Sequence, residues 1–331
     1  MKVAAIGAGS WGTTVANLCA HNAETTIWAR RPDVAVAIHE RHENPRYLPG
    51  YKLHPSLRAT SDIADAVSDA DVVVLGVASA GFPETLAALE PLVDAHVPIV
   101  SLAKGFEPAS GKRMTEVVAA SFPKNAIGVL TGPNLAKEIL AGQAAAAVVA
   151  FENLAIAERL QGIFASDRFR VYTNDDLIGC ELGGAFKNVI AIAAGMADGL
   201  GAGDNTRAAV ITRGLSELTR LGVAMGGRAE TFAGLTGLGD LIATCISPQS
   251  RSRTAGEAIS VGRSIAEIVE SMEQVVEGLR SAPVVARLGR EHGVDMPIAE
   301  EIRAVVEDGR TAEEAYRGLL KRPHQTENTS D

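Results

Sequence analysis

Lys2-Val3-Ala4-Ala5-Ile6-Gly7-Ala8-Gly9-Ser10-Trp11-Gly12 opens the chain with a short strand pattern, a glycine-rich turn and the start of an apolar helical segment. A G-x-G-x-x-G spacing means little by itself, but between a strand and a helix it has a mechanical reading. Gly7 permits the tight turn, Gly9 lets the backbone approach a pyrophosphate, and Gly12 lets the helix pack close to the strand. The helix N-terminus adds unpaired N–H groups and the positive end of its dipole. The alternative is an ordinary strand-to-helix turn whose glycines serve geometry alone. The position of the turn and the pattern that follows it favour dinucleotide binding.

Outward from this turn, strand patterns recur at residues 25–29, 72–77, 98–102, 127–130, 145–150 and 168–172. Several are almost continuously apolar, as strands covered on both faces are. Helical periodicity lies between most of them, at 13–21, 83–92 and 112–121. This alternation predicts an α/β fold, a Rossmann-like doubly wound and mostly parallel sheet. Residues 44–55, with three prolines and two tyrosines, read as a surface excursion within it. Past residue 175 the strand signal stops and an all-helical C-terminal domain follows, with helices at 175–200, 205–222, 229–235, 249–259, 276–291, 298–308 and 312–320. Asp204 reads as a helix N-cap after Gly199, Gly201 and Gly203. The expected division is therefore 1–178, a dinucleotide-binding domain; 179–323, a helical domain for substrate and catalysis; and 324–331, a polar, disordered tail.

At 331 residues, 47% hydrophobic and 21% charged, the chain has the composition of a globular protein of about two domains. No uninterrupted run of about 18 apolar residues occurs, so membrane insertion is not expected. The N-terminus lacks the pattern of a signal peptide. Cys19, Cys180 and Cys245 are odd in number and far apart, which points to a reducing compartment, the cytoplasm. A formal net charge of −9 argues against a nucleic-acid partner or an anionic membrane surface. The seven histidines are scattered, with His39 and His42 the closest pair and no third ligand beside them, so no metal is expected.

The nucleotide itself is read at the end of the second strand. An NAD site usually carries Asp or Glu there, about 20 residues past the turn. Here Arg30-Arg31 follow Trp28-Ala29. Two guanidiniums suit a 2′-phosphate, which makes NADP the preferred cofactor and NAD the alternative. The competing reading is two solvated arginines before Pro32.

Ligands of open α/β sheets lie outside the carboxyl ends of the strands. Lys104-Gly105, Gly132-Pro133-Asn134 and Ser79 all fall at such ends. Any one of them alone reads as a loop residue without a task, and only their coincidence raises interest.

Lys187 is the only basic residue between Arg170 and Arg207 and sits among small and apolar neighbours. Burial lowers a lysine's pKa and fits it to exchange protons near neutrality. The Gly183-Gly184-Ala185 run just before it weakens the helix and makes sense if something packs very near. The alternative is a lysine snorkelling to the helix rim. Asp240 and Thr244, four apart, share a helical face, and a carboxylate there would hold the Lys187 ammonium; Asp240 as an N-cap after Gly239 is the other reading. Ser247-Pro248 reads as a helix start that puts Ser250, Arg251 and Ser252 in the first turns, where a phosphate finds N–H groups and positive charge. A solvated charged face is the plainer account.

Taken together, these segments resemble the bacterial-type NAD(P)-dependent glycerol-3-phosphate dehydrogenases over nearly the whole chain. The likeness runs from the Gly7 turn through Ala103-Lys104-Gly105, Gly132 to Glu138, 181–195, 201–206, Gly237 to Cys245, Ser250-Arg251 and Val275-Val276-Glu277-Gly278 to Val294-Asp295-Met296-Pro297-Ile298. The resemblance implies interconversion of sn-glycerol 3-phosphate and dihydroxyacetone phosphate by direct hydride transfer, supplying phospholipid synthesis, in a homodimer. It implies that Lys187 is the proton-transferring lysine, with Lys104 and Asp240 beside it. Ser250, Arg251 and Ser252 would hold the substrate phosphate, with Gly132, Asn134 and Thr244 also on the substrate. Ser10, Trp11, Arg30, Arg31, Lys104, Ala136, Arg251, Val275 and Glu277 would contact the cofactor along with Gly7, Gly9 and Gly12. Asn134 stands where the family usually has Ser or Thr, Ser252 replaces a usual Asn, and no proline follows Val77; the first two still offer hydrogen-bond donors.

Overall fold

The computed structural model describes residues 1–272 and 275–320. They divide into two compact units, one of Met1–Ala103 with Lys112–Leu177, the other of Lys104–Gly111 with the chain from Ile178 onward. Lys104–Gly111, inside the first domain by sequence, is thus counted with the helical unit. Residues 321–331, including the expected tail at 324–331, lie outside the described residues.

The first unit contains β1 (Lys2–Ile6), β2 (Glu24–Trp28), β3 (Glu43–Asn44), β4 (Leu48–Lys52), β5 (Arg58–Thr60), β6 (Val72–Leu75), β7 (Ile99–Ser101), β8 (Ile127–Thr131), β9 (Ala145–Phe151) and β10 (Phe169–Asn174). Its main sheet runs β10-β9-β8-β7-β6-β1-β2-β5. Neighbours pair in parallel except β8 with β9, so the sheet is mixed and Rossmann-like. Burial of alternate residues on opposite faces explains why a central strand such as β6 is apolar at every position. Val72 and Val74 pack with Val15, Leu18 and Leu160 on one face. Val73 and Leu75 pack with Phe82, Leu86 and Val118 on the other. Both faces are covered by helices, so the central strands are mostly apolar, with Ser101 on β7 and Thr131 on β8 as buried polar exceptions at their ends.

Two features depart from the sequence expectation. Arg58-Ala59-Thr60 forms the edge strand β5, pairing only with β2; three residues of mixed polarity carry no strand signal. Within the expected excursion, β3 and β4 form an antiparallel hairpin, although β4 contains Pro49 and Gly50.

Among the described residues the second unit has no strand. Its centre is the helix Leu177–Gly199, whose Phe186, Val189, Ile192 and Met196 pack among Leu218, Phe232, Leu241, Leu279 and Val285. This helix is long and apolar enough to cross a membrane, yet 94% of its most apolar window is buried inside the fold. It is a core helix. Truncating Phe186, 1% exposed, to alanine would cost about 3–5 kcal/mol.

Two helix starts differ from expectation. Gly203, not Asp204, is the N-cap of Asp204–Ala224, because Gly203 keeps an extended backbone and Asp204 is already helical, its carboxylate accepting from Arg207 at 2.9 Å. Ser250, not Ser247, caps Arg251–Ser260. Ser247 instead closes the preceding helix and accepts from the Gln249 N–H at 3.1 Å, forming a turn that delays the new helix. The helix Ile265–Ser271 was legible from its capping box, Ser264 with Glu267, but lies outside the expected set.

Candidate active site

In the first unit, β1 ends between β2 and β6, where the strand order reverses direction. The glycine turn stands at this switch point. Gly7 has φ +112°, and a Cβ there would meet the Gly76 carbonyl carbon at 2.8 Å. A Cβ at Gly12 would collide with the Gly7 carbonyl oxygen, whereas a Cβ at Gly9 would meet nothing within 4 Å. Gly7 and Gly12 are therefore demanded by the protein's own packing, and Gly9 borders open space.

Asn44, fully buried on β3, braces the turn. Its Nδ2 donates to the Ala8 carbonyl and to Thr13 Oγ1, both at 2.9 Å. This explains why the excursion folds back on the sheet, and sequence reading missed it. Ser10 Oγ donates to the Tyr47 carbonyl at 3.2 Å. Trp11 packs on Phe169 at 6.3 Å between ring centroids, and its indole N–H has no partner among the described residues. An open glycine backbone at a helix N-terminus and an unused buried donor beside it fit a dinucleotide pyrophosphate.

Arg30 and Arg31 are exposed beyond β2, and Arg31 pairs with Asp33 at 3.1 Å. Gly132, with φ +129°, and Asn134 follow β8, and Ala136 begins the helix Ala136–Leu140. These residues belong to the first unit and are not among the side chains that the second unit gathers.

The second unit buries Lys187, 6% exposed, and Asp240, 2% exposed. Lys187 Nζ donates to Asp240 Oδ1 at 2.5 Å and to Thr244 Oγ1 at 2.7 Å. Lys104 Nζ donates to the other carboxylate oxygen at 2.6 Å. Thr244 Oγ1 donates to the Asp240 carbonyl at 2.6 Å, the i, i+4 contact that the sequence spacing implies. Lys187 does not reach the helix rim. Gly239, not Asp240, occupies the N-cap of Asp240–Ile246, so the carboxylate is left for the lysines.

Local backbone explains this placement. The π-turn Leu235–Gly239 delivers Asp240, and a Cβ at Gly183 would meet the Thr236 carbonyl oxygen at 2.6 Å. The glycine run before Lys187 thus lets the π-turn approach the lysine's own helix.

Two ammoniums on one carboxylate cannot both be well compensated in a desolvated pocket. Burial pushes Lys104 down to about 7, against the raising effect of Asp240 and helped by the Lys187 ammonium beside it.

Asn188, next to Lys187 on the helix, ties the set together. Its Nδ2 donates to the Lys104 carbonyl at 3.2 Å, and Ser252 Oγ donates to its Oδ1 at 3.5 Å. An amide among apolar residues was the available signal, and sequence reading passed over it. Ser250 Oγ accepts from the Arg253 N–H at 3.2 Å. Arg251 Nη1 donates to the Val275 carbonyl at 2.5 Å. Glu277 lies against Gly105, its carboxylate 3.0 Å from where a Cβ would stand. Lys104, Lys187, Asp240, Thr244, Arg251, Val275 and Glu277 thus belong to one contiguous region of the helical unit. Cys245 is buried with its thiol pushed up to about 12 by burial, an inert sulfur. Among the described residues no group of three or more His, Cys, Asp or Glu side chains is set to hold a metal ion.

A glycine turn at the switch point of a Rossmann-like sheet, with a buried lysine–aspartate–lysine cluster in a helical unit, defines a dinucleotide-dependent oxidoreductase. Two family models match the chain: NAD-dependent glycerol-3-phosphate dehydrogenase N-terminus over residues 2–157, and the C-terminus of the same over 176–317. Among relatives, glycerol-3-phosphate dehydrogenase [NAD(P)+] 2 of Sphingopyxis alaskensis is 55% identical over 321 residues, covering 97% of this chain and 96% of its own. The Mycobacterium avium glycerol-3-phosphate dehydrogenase [NAD(P)+] is 50% identical over 320 residues, 96% and 94% of the two chains. The crystal structure of glycerol-3-phosphate dehydrogenase from Coxiella burnetii superposes with a TM-score of 0.92 at 36% identity, covering 97% of this chain and 99% of that one. The chain belongs to the NAD-dependent glycerol-3-phosphate dehydrogenase family, and it is an NAD(P)-dependent enzyme.

Proposed function

We propose that this enzyme interconverts sn-glycerol 3-phosphate and dihydroxyacetone phosphate with Lys187 as the residue that exchanges a proton with the substrate oxygen. The observation that carries the reading is the buried hydrogen bond from Lys187 to Asp240, with Lys104 on the same carboxylate. When bound, the nicotinamide supplies hydride exchange with the substrate carbon. The protein's part is the proton and the positioning.

On oxidation the hydroxyl proton must leave as the carbonyl forms. Burial pushes Lys104 down to about 7, so around neutrality part of the molecules carry it as the neutral amine. Asp240 is hydrogen-bonded to both amines and holds them side by side on one carboxylate. Lys187 takes the hydroxyl proton on oxidation and returns it on reduction. General acid–base help of this kind is typically worth about 10²–10⁴-fold. Thr244 and Asp240 fix the position of the Lys187 amine.

Ser250, Arg251 and Ser252 bind the substrate phosphate at the start of Arg251–Ser260, with Gly132 and Asn134 as further substrate contacts. The helix N-terminus and the guanidinium of Arg251 support this. Phosphate binding supplies remote binding energy that orients the reacting carbon. Gly7, Gly9, Ser10, Trp11 and Gly12 hold the dinucleotide, with Ala136, Val275 and Glu277 contributing. Arg30 and Arg31 favour NADP over NAD. The family likeness supports a homodimer in the cytoplasm whose product, in the reducing direction, feeds phospholipid synthesis.

Following NADPH oxidation at 340 nm with dihydroxyacetone phosphate tests the reading. Turnover is expected. NADPH binding without oxidation would leave a dinucleotide sensor, and turnover of a 2-oxo acid but not of dihydroxyacetone phosphate would leave a different dehydrogenase.

A further inference from the structure

The geometry assigns to Asp198 the positioning of the phosphate-binding turn relative to Lys187. The inference rests on the reading of Ser250 and Arg251 as the phosphate site and adds what holds that site in place. Asp198 follows Lys187 by eleven residues on the helix Leu177–Gly199, about three turns, so both side chains leave the same face roughly 16 Å apart along the axis.

The Asp198 carboxylate is buried, its side chain 7% exposed, and both oxygens are engaged. Oδ1 accepts from Arg207 Nε at 2.7 Å. Oδ2 accepts from Arg253 Nε at 3.0 Å and lies 2.9 Å from its Nη2. Arg253 is the third residue of Arg251–Ser260, and its own N–H is the one that Ser250 Oγ accepts. One residue therefore joins the cap of the phosphate-binding turn to the helix that carries the catalytic lysine. In the sequence Arg251 and Arg253 look alike as phosphate ligands; Arg253 is committed to Asp198 and Glu257, which leaves Arg251 as the cation for the anion.

Close packing supports the same joint. A Cβ at Gly195 would run into the Arg253 carbonyl oxygen, and one at Gly256 into the Ile192 carbonyl oxygen. Backbones that meet without side chains between them come close but lack the knobs that resist sliding. A directional, desolvated ion pair at the end of the contact supplies the missing register.

Steady-state kinetics with two substrates tests this. Dihydroxyacetone phosphate uses the phosphate site, and dihydroxyacetone, lacking the phosphate, does not. Asp198→Asn is expected to raise KM for dihydroxyacetone phosphate about tenfold or more, while kcat stays within about threefold and kcat/KM for dihydroxyacetone within about twofold. Asp198→Glu should recover part of the loss. Arg253→Gln should repeat the Asp198→Asn effect, and Arg207→Gln, which leaves the Arg253 pair intact, should not. If Asp198→Asn does not fold, the contrast between the Arg253 and Arg207 variants decides. Equal losses with both substrates, or an unchanged KM, overturn the inference. Arg251→Ala separates the two levels: an unchanged KM for dihydroxyacetone phosphate in that variant removes the phosphate site itself, whereas a raised KM there with normal values in Asp198→Asn and Arg253→Gln removes only the role of Asp198.

Discussion

Lys187 Nζ lies 2.5 Å from Asp240 Oδ1, and the other oxygen of that carboxylate is taken by Lys104 at 2.6 Å. One buried anion thus faces two amines, and burial with so little counter-charge pushes Lys104 down to about 7.

Asp240→Asn should lower kcat by about 10²–10⁴-fold, because a neutral amide no longer holds the Lys187 amine as the carboxylate does. It also leaves buried ammoniums without a counter-ion, so the variant should lose about 3–5 kcal/mol of stability. Lys187→Ala should lower kcat by a similar factor with little change in cofactor affinity. Steady-state rates, a cofactor titration by fluorescence and thermal melts check both, and near-normal kcat in the Lys187 variant would remove it from the mechanism.

The pH profile should carry the signature of Lys104. Its folded pKa of about 7 lies below the ordinary lysine value, so the neutral amine appears as pH rises through 7. In the proposed mechanism oxidation of glycerol 3-phosphate is favoured by the neutral Lys104 amine, so its kcat/KM should climb about tenfold per unit up to about pH 7 and then level. Reduction should show the opposite limb. Lys104→Met should erase the inflection near 7, as measured by kcat/KM across pH 5.5–9.

Nucleotide preference should reside mainly in Arg30, since Arg31 is paired with Asp33. Arg30→Ala is expected to cut the NADPH-over-NADH ratio of kcat/KM about tenfold, leaving the NADH value nearly unchanged. Equal or better turnover by the unaltered enzyme with NADH at matched concentrations would contradict the preference.

Glu217 makes a stability prediction outside the chemistry. Its buried carboxylate accepts from the Ile298 N–H at 2.9 Å and the Ala299 N–H at 3.3 Å, capping the helix Pro297–Glu307. Burial pushes it up to about 7, against the lowering effect of those N–H groups and of Arg220. The folded state then binds more protons than the unfolded chain between about pH 4.5 and 7, so this group's contribution is full below that range and fades as pH rises through it. The melting temperature of the unaltered protein should fall relative to that of Glu217→Gln over that interval, by the equivalent of about 3 kcal/mol. Parallel melting curves for the two proteins would show that Glu217 is not the group titrating.

Local pattern made the Rossmann-like sheet readable, because a strand covered on both faces is apolar at most positions and a glycine turn must sit where backbones touch. The short edge strand β5 and the hairpin of β3 and β4 escaped, since their residues are polar or carry Pro49 and Gly50 and are held by pairing with distant chain. Helix starts proved the least legible. Ser247 and Ser250 have the same capping chemistry, and which of them caps depends on where the previous helix stops.

From composition and order alone the chain determined its α/β-then-helical organisation, the glycine turn, and the candidate pair of Lys187 and Asp240. Only the tertiary structure decided that Lys104 shares the same carboxylate, that Asn44 braces the turn, and that Arg253 serves Asp198. Periodicity acts over a few residues and is written in the sequence. Ion pairs between side chains as far apart as Lys104 and Asp240 depend on which surfaces the packed helices bring together, and no local pattern encodes that.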